Sequence, residues 1–302
     1  MEWINMLQKA VCYTEEHLLE DIRFEDVAKA VNVSPYEFHR AFSFITGMTL
    51  NTYIRNRRLS LAGQELLGTD LKIIDIAMKY GFETQDGFTK AFTRFHGIAP
   101  KYARSDGAQL VLFGPLTLRV SFEGGKRIDY RIEKRDRQKF AAIVRDFPIE
   151  IIHEDGNHDI SDFWEECYAC GRIDALKSLQ CAKKGRLYGL CAPLRGREMS
   201  FAYGVGVLLH DEPADEEALF LKENGYQYWE TESCTYAVFR CIGEDGDCIG
   251  EAWERFYQEF LPSGGYRVCE ETDYEVYFDE STDGLFCELW IPVYVCRPNH
   301  SY

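Results

Sequence analysis

The 302-residue chain has no apolar run approaching the 18 residues of a membrane helix, so neither a membrane span nor a membrane partner is expected. Its start, Met1-Glu-Trp-Ile-Asn5, lacks the basic stretch and apolar segment of an export signal, so the expected location is cytoplasmic. Eleven cysteines are an odd number without the spacing of a disulfide framework, which implies reduced thiols. A P-loop, a dinucleotide fingerprint and a nucleophile elbow are all missing, so no cofactor and no catalytic residue is indicated. Cys167-x-x-Cys170 falls within an expected helix and no second pair stands at finger-like spacing. Cys181, Cys191, His153 and His158 are scattered, and no metal is expected.

Positive charge is scarce overall. The chain carries 34 Lys+Arg against 50 Asp+Glu, a net charge of −16, which taken alone argues against nucleic acid. The distribution changes that. Residues 1–105 hold 13 of each sign, whereas 106–302 hold 21 basic against 37 acidic residues and carry the entire excess. A neutral segment with basic clusters (Arg55, Arg57, Arg58; Arg94, Lys101, Arg104) beside an acidic one implies separate tasks. The acidic segment would also repel a polyanion and confine it to the first.

One pattern organises the neutral segment. Phe38, Ala41, Phe42 and Gly47 recur fifty residues later as Phe88, Ala91, Phe92 and Gly97, with Arg40 matched by Lys90. Apolar residues at i, i+3 and i+4 mark one buried helix face, and the glycine marks the helix stop. The basic residue in each copy lies off that stripe. Upstream, Ile4–Leu19 and Phe24–Val31 read as helices. Asn32-Val33 is a tight turn, and Ser34 with Pro35 and Glu37 is a helix N-terminus with a capping box. Leu50–Leu67 is a longer joining helix, in which Gly63 costs about 1 kcal/mol. Ile73–Tyr80, the turn Gly81-Phe82 and Thr84–His96 repeat the short helix, turn and second helix, and Ile98–Arg104 is a last short helical piece.

These residues resemble the AraC/XylS family of bacterial transcription regulators over roughly residues 4–105. The matching positions are Ala28, Ser34, Phe38, Arg40, Phe42 and Gly47, then Ile73, Ile76, Ala77, Gly81, Phe82, Phe88, Phe92, Gly97 and Pro100. The resemblance implies two helix-turn-helix units on one strut, binding double-stranded DNA, with RNA polymerase a further partner consistent with that role. An 18-residue strut spans ~27 Å, close to the ~34 Å of one DNA turn. The expected base readers are Tyr36, His39 and Arg40 in the first unit, with Gln85, Asp86, Thr89 and Lys90 in the second; Gly87 makes the second copy poorer. Arg55, Arg57, Arg58, Arg94 and Lys101 are expected at phosphates or in solvent, with Arg58 equally suited to a structural ion pair.

In the remainder, Ser105–Gly107 and Gly124-Gly125 are plausible breaks, and Leu110–Phe113 and Leu116–Phe122 have strand character. From Ile128 the pattern is alternation, helix, alternation, twice. Phe140–Arg145 parallels Tyr236–Arg240, Trp164–Tyr168 parallels Trp253–Tyr257, and Phe201–Val207 parallels Phe286–Pro292, at offsets of 96, 89 and 85. The expected architecture is α + (α+β). An all-α double helix-turn-helix domain (1–105) and a linker with leading strands (106–127) precede a duplicated βαββ domain (128–302) with pseudo-twofold symmetry.

Gly250–Trp253, Phe260–Tyr266, Tyr274–Tyr277 and Cys287–Val293 resemble the GyrI-like effector-binding domain over roughly 128–297. Glu288 is singled out, because Phe286 and Trp290 at i±2 should share its face. A carboxylate between aromatics needs a partner. Its repeat counterpart is Tyr203, flanked by Phe201, so an acid and a phenol are expected at one aromatic site that suits a lipophilic cation. In the resembling domains a glutamate at this place binds cationic ligands. Trp164 and Tyr188 are further candidates. The expected function is a regulator sensing a small aromatic or cationic effector. Two alternatives stand beside it: a small-molecule hydrolase with Glu288 as general base and Tyr203 as its phenol, and a ligand-independent scaffold.

Overall fold

The computed structural model describes residues 2–105, 107–117, 129–149, 159–194, 199–280 and 283–296. The chain forms two compact units, 1–123 and 124–302. In the first, α1 (Glu2–Glu16), α2 (Phe24–Ala30) and α3 (Pro35–Thr46) are joined by α4 (Leu50–Gly68) to α5 (Ile73–Lys79) and α6 (Gln85–His96), and a 3-10 turn follows at Pro100–Tyr102. The boundaries follow local chemistry. Ser34 accepts from the Glu37 N–H at 3.2 Å, Pro35 opens α3, and Gly47 closes it at φ 69°, in the left-handed region glycine tolerates. Thr84 likewise accepts from the Gly87 N–H at 3.1 Å at the start of α6. Phe38, Phe42, Phe88 and Phe92 are all fully buried, so the repeated stripe is the core of both copies.

The joining helix carries its basic residues for more than one purpose. Arg57 donates to both carboxylate oxygens of Glu15 at 2.8 Å, and Arg58 donates to the Leu18 and Glu20 carbonyls at 2.7 Å, capping the end of α1. Both therefore have structural roles, Arg57 as a buried charge and Arg58 as a half-buried one. Gly63 also has a packing reason: a Cβ there would lie 2.9 Å from the His96 ring. The segment expected as a first strand, Leu110–Phe113, is not a strand. Its backbone is strapped to the first unit instead, the Val111 N–H donating to His96 Nδ1 (3.1 Å) and the Phe113 N–H to Ser60 Oγ (2.9 Å). Of the second expected strand, Leu116 and Thr117 are not extended into a sheet, and 118–122 lie outside the described residues.

The second unit contains β1 (Tyr130–Arg135), β2 (Gln138–Pro148), α7 (Asp159–Ala169), α8 (Arg172–Ser178), β3 (Arg186–Pro193), β4 (Ser200–Leu208), α9 (Asp215–Glu223), β5 (Gln227–Thr231), β6 (Cys234–Ile242), α10 (Asp247–Arg255), β7 (Tyr266–Val268), β8 (Asp273–Phe278) and β9 (Leu285–Val295). The sheet order is β1-β6-β9-β8-β3-β4-β2-β5, with β7 on β9. Under a twofold that swaps β2 with β6, β3 with β8 and β4 with β9, that order reads the same from both ends. Each repeat is the expected βαββ plus a leading strand, and the leading strands are exchanged: β1 pairs with β6, and β5 with β2. The Gly189–Glu275 pair lies on the axis, flanked symmetrically by Tyr188–Val276 and Leu190–Tyr274.

Because side chains alternate across a strand, the register sorts the sheet into two faces. Phe147, Tyr203 and Phe239 point toward the helices, meeting Phe163 of α7 or the Phe256 and Phe260 rings beyond α10. Phe140, Tyr188, Tyr236, Tyr274 and Trp290 share the opposite face in one buried cluster.

Candidate functional site

Three groups of side chains carry the candidate chemistry. The first lies on the paired second helices of the N-terminal unit. Gln85, Asp86, Lys90 and Arg94 of α6 are exposed and Thr89 is half-buried; Arg55 on the strut is exposed as well. In α3 the expected open face is closed: Tyr36, His39 and Arg40 are only 7, 3 and 7% exposed. The Arg40 guanidinium donates to the Tyr36 hydroxyl at 2.8 Å and sits 5.1 Å from that ring's centroid. His39 packs edge-on to Phe24 of α2 at 5.5 Å. Spacing within one helix showed a stripe to bury but not that its flank would be buried as well. The copy expected to be poorer at reading is thus the accessible one.

The second group surrounds Glu288. Arg131 of β1 grips its carboxylate with two hydrogen bonds, at 2.8 and 2.6 Å, and Trp290 Nε1 adds a third at 3.2 Å. The Arg131 and Arg135 guanidiniums lie 5.3 and 4.6 Å from the Trp290 ring. Glu133 accepts from both arginines, and they hold its carboxyl below the usual range, Arg131's hydrogen bond chief among the causes. The partner that Glu288 needs is therefore intramolecular, and it clamps the exchanged strand β1 to β9.

Glu288 and Tyr203 do not share a site. The register pairs Val144 with Gly204 and Arg240 with Glu288, so the counterpart of Glu288 is Gly204 and that of Tyr203 is Cys287. An alignment one residue out moves a side chain to the opposite face of a sheet. Tyr188 and Trp290 lie on the Glu288 face, whereas Tyr203, Phe201 and Trp164 belong with the helices, and Phe286 packs on Tyr277 at 5.7 Å. The hydrolase alternative loses its basis with that geometry, since its proposed base is doubly bonded to Arg131 and its phenol is elsewhere.

The acid-and-phenol pair is nevertheless built, with a different acid, and this is the third group. Tyr203 donates to Glu275 Oε2 at 2.6 Å, and its oxygen accepts from Trp164 Nε1 at 3.0 Å. Tyr277 OH stands 3.4 Å from the same carboxylate oxygen, and its ring meets Trp164 edge-on at 5.0 Å. Burial, reinforced by the Glu275 charge, raises the pKa of both phenols well above the ordinary value, so they remain donors. The site spans the two repeats. Glu275 reaches over its axial partner Gly189 to the Tyr203 of the other half, and a Cβ at 189 would fall on Glu275 Oε2 and the Tyr203 oxygen. Phe201 stacks behind through Phe147, while Trp164, Glu275, Tyr277 and Phe286 are half-buried. Glu275 lay within a sequence segment already noted, Tyr274–Tyr277. The readable signal was a carboxylate set between β-strand tyrosines opposite a glycine in the sister repeat.

Among the described residues no three metal-ligating side chains converge and no helix is long and apolar enough to cross a membrane. All eleven cysteines are unbridged.

Comparison with known proteins follows the same division. A helix-turn-helix domain family matches residues 27–106, and a family of integron-associated effector binding proteins matches residues 131–293. The uncharacterized HTH-type transcriptional regulator YbfP of Bacillus subtilis is 41% identical over 100 residues, 33% of this chain and 34% of that protein. The chain thus spans about a third of that relative's length. The HTH-type transcriptional activator AarP of Providencia stuartii is 35% identical over 100 residues, 33% of this chain and 74% of that protein. Among solved structures, SAV2435 bound to tetraphenylphosphonium is 20% identical with a TM-score of 0.45, covering 55% of this chain and 94% of that one. The matched segment 131–293 is more than half of the chain and the helical match covers most of AarP; the chain therefore belongs to the integron-associated, GyrI-like effector-binding proteins and, through its N-terminal unit, to the AraC-type helix-turn-helix transcription regulators.

Proposed function

We propose that this regulator senses a lipophilic aromatic cation, seated against Trp164, Tyr277 and Phe286 with its charge on Glu275. The observation that carries the reading is the Tyr203–Glu275 bond across the pseudo-twofold axis. Two protonated phenols hold the carboxylate in place, and aromatic faces around a fixed carboxylate complement a delocalised cation. Glu288, answered by Arg131, serves the sheet instead. On the DNA side, the exposed face of α6 enters the major groove. Gln85 suits adenine, Asp86 can accept from cytosine, and Lys90, Arg94 and Arg55 meet phosphates. Arg40 acts through its bond to Tyr36, with His39 behind it as packing. Cytoplasmic residence and contact with RNA polymerase belong to the same reading.

Calorimetric titration of tetraphenylphosphonium into the full chain tests it. At about 5 Å and an effective dielectric of about 20, the carboxylate contributes roughly 3 kcal/mol, so Glu275→Gln weakens binding on the order of 100-fold. Glu288→Gln changes affinity less than about threefold, because its charge is already paired. Full affinity in Glu275→Gln, or equal losses in the two variants, refutes the assignment.

A further inference from the structure

We propose that Cys269 and Cys234 form a peroxide-oxidisable dithiol, closing to a disulfide that ties the start of β6 to the segment entering β8. The two sulfurs are 3.9 Å apart, with the Cys234 thiol donating toward Cys269. Bridging needs them about 2 Å closer. Cys234 opens β6 opposite Arg135, and Cys269 follows β7 with its N–H donating to the Pro292 carbonyl at 3.1 Å. Both sulfurs lie at the margin of the buried cluster, Cys234 8% and Cys269 4% exposed, and the Tyr294 side chain that reaches the Cys269 sulfur is 60% exposed.

Roles within the pair follow from the contacts: the Cys234 thiol faces both the Thr235 carbonyl (3.4 Å) and Cys269, whereas the Cys269 sulfur receives Cys234 and Tyr294. The hydrogen bond from Cys234 lowers the Cys269 pKa; burial opposes it, Tyr294 assists, and nearby Glu271 opposes. Cys269 is thus the attacking thiolate, and Cys234, whose own proton is held, is the resolving thiol. The Cys269 thiolate attacks one oxygen of hydrogen peroxide, the O–O bond breaks, and with one proton the products are a sulfenic acid and water. Cys234 sulfur then displaces the sulfenic hydroxyl, which leaves as a second water with the Cys234 proton. Two electrons pass from the thiols to the peroxide. A second close pair supplies the internal contrast. Cys241 and Cys287 face each other directly across β6 and β9, but they are 1 and 0% exposed inside the sheet, where the hydrogen bond to Cys241, then burial, drives the Cys287 thiol upward in pKa. That pair should be inert.

The test uses the full chain with the exposed Cys12 and Cys170 changed to serine, reduced and then treated with stoichiometric hydrogen peroxide. Non-reducing peptide mass spectrometry should find a Cys234–Cys269 cross-link, two hydrogens lighter and reversed by dithiothreitol. It should form at least about tenfold faster than any Cys241–Cys287 product. In Cys234→Ser, dimedone should trap the sulfenic acid on Cys269 and no cross-link should form. Absence of the cross-link in the folded starting protein, equal oxidation of Cys241 and Cys287, or dimedone captured on Cys234 in place of Cys269 would each overturn the proposal. The first two readouts need no substitution within the pair, so a misfolded variant cannot mask them.

Discussion

Replacing Gly189 by alanine puts the axial contact under direct strain. The new Cβ would clash with Glu275 Oε2 and the Tyr203 hydroxyl, and would lie 3.1 Å from Tyr203 Cζ. Tyr203 cannot withdraw, since it is 2% exposed and ringed by Phe147, Phe163 and Trp164. The half-buried Glu275 must leave. The loss includes a hydrogen bond to a charged acceptor, about 1.5–3 kcal/mol, and residual crowding of about 1–3 kcal/mol. These overlap, so roughly 3 kcal/mol is expected, a fall of about 6–12 °C in melting temperature for a domain of this size. Differential scanning calorimetry should show the second unit melting earlier, and tetraphenylphosphonium affinity should fall as in Glu275→Gln. Gly206→Ala separates the two effects. Its Cβ would meet the Ala141 carbonyl at 2.6 Å on the opposite face, so it should destabilise comparably while the folded fraction keeps its cation affinity. Wild-type melting and binding in Gly189→Ala would refute the axial site.

Gly63→Ala should lower stability by about 1–2 kcal/mol despite alanine's better helix propensity, because the added methyl crowds His96; a higher melting temperature would contradict the packing account. His96 is held neutral by burial, with Nε2–H donating to Leu59 O at 3.0 Å and Nδ1 accepting from Val111. Its depressed pKa means the unfolded chain binds the proton first, so the first unit should lose stability as pH falls below about 6.5, and that step should be absent in His96→Gln. Glu288→Gln should loosen β1, seen as faster amide exchange over Tyr130–Arg135, at a cost of only about 1 kcal/mol because Arg131 is 39% exposed; unchanged exchange would deny the clamp. Lys90→Ala should reduce the salt slope of DNA binding by about one with melting unchanged, whereas Arg40→Ala should cost about 1 kcal/mol of stability through its Tyr36 bond. The reverse pattern in salt titrations and melts would refute the exposure argument.

The helices were legible because their determinants are local. Ser34, Pro35 and Gly47 cap α3 through bonds spanning three or four residues, and the Phe38–Phe42 and Phe88–Phe92 stripes follow from helical period alone. The duplication was legible for a similar reason, since each repeat carries its own alternation and its own tryptophan. Burial at α3 was not, because it depends on contacts beyond the helix itself, such as that of His39 with Phe24 of α2. Nor was Arg131, which sits 157 residues before the glutamate it grips.

By itself, then, the sequence determined two helix-turn-helix copies on a strut and a doubled βαββ domain, and it singled out Glu288 and Tyr203 without showing that they lie on opposite faces of the sheet. Only the tertiary structure decided which acid meets Tyr203. Strand pairing has a period of two, so a single residue of register separates Glu288, turned to Arg131, from the side of the sheet where Glu275 crosses Gly189 to Tyr203. That register is set by hydrogen bonds between strands distant in sequence, beyond the reach of any local pattern.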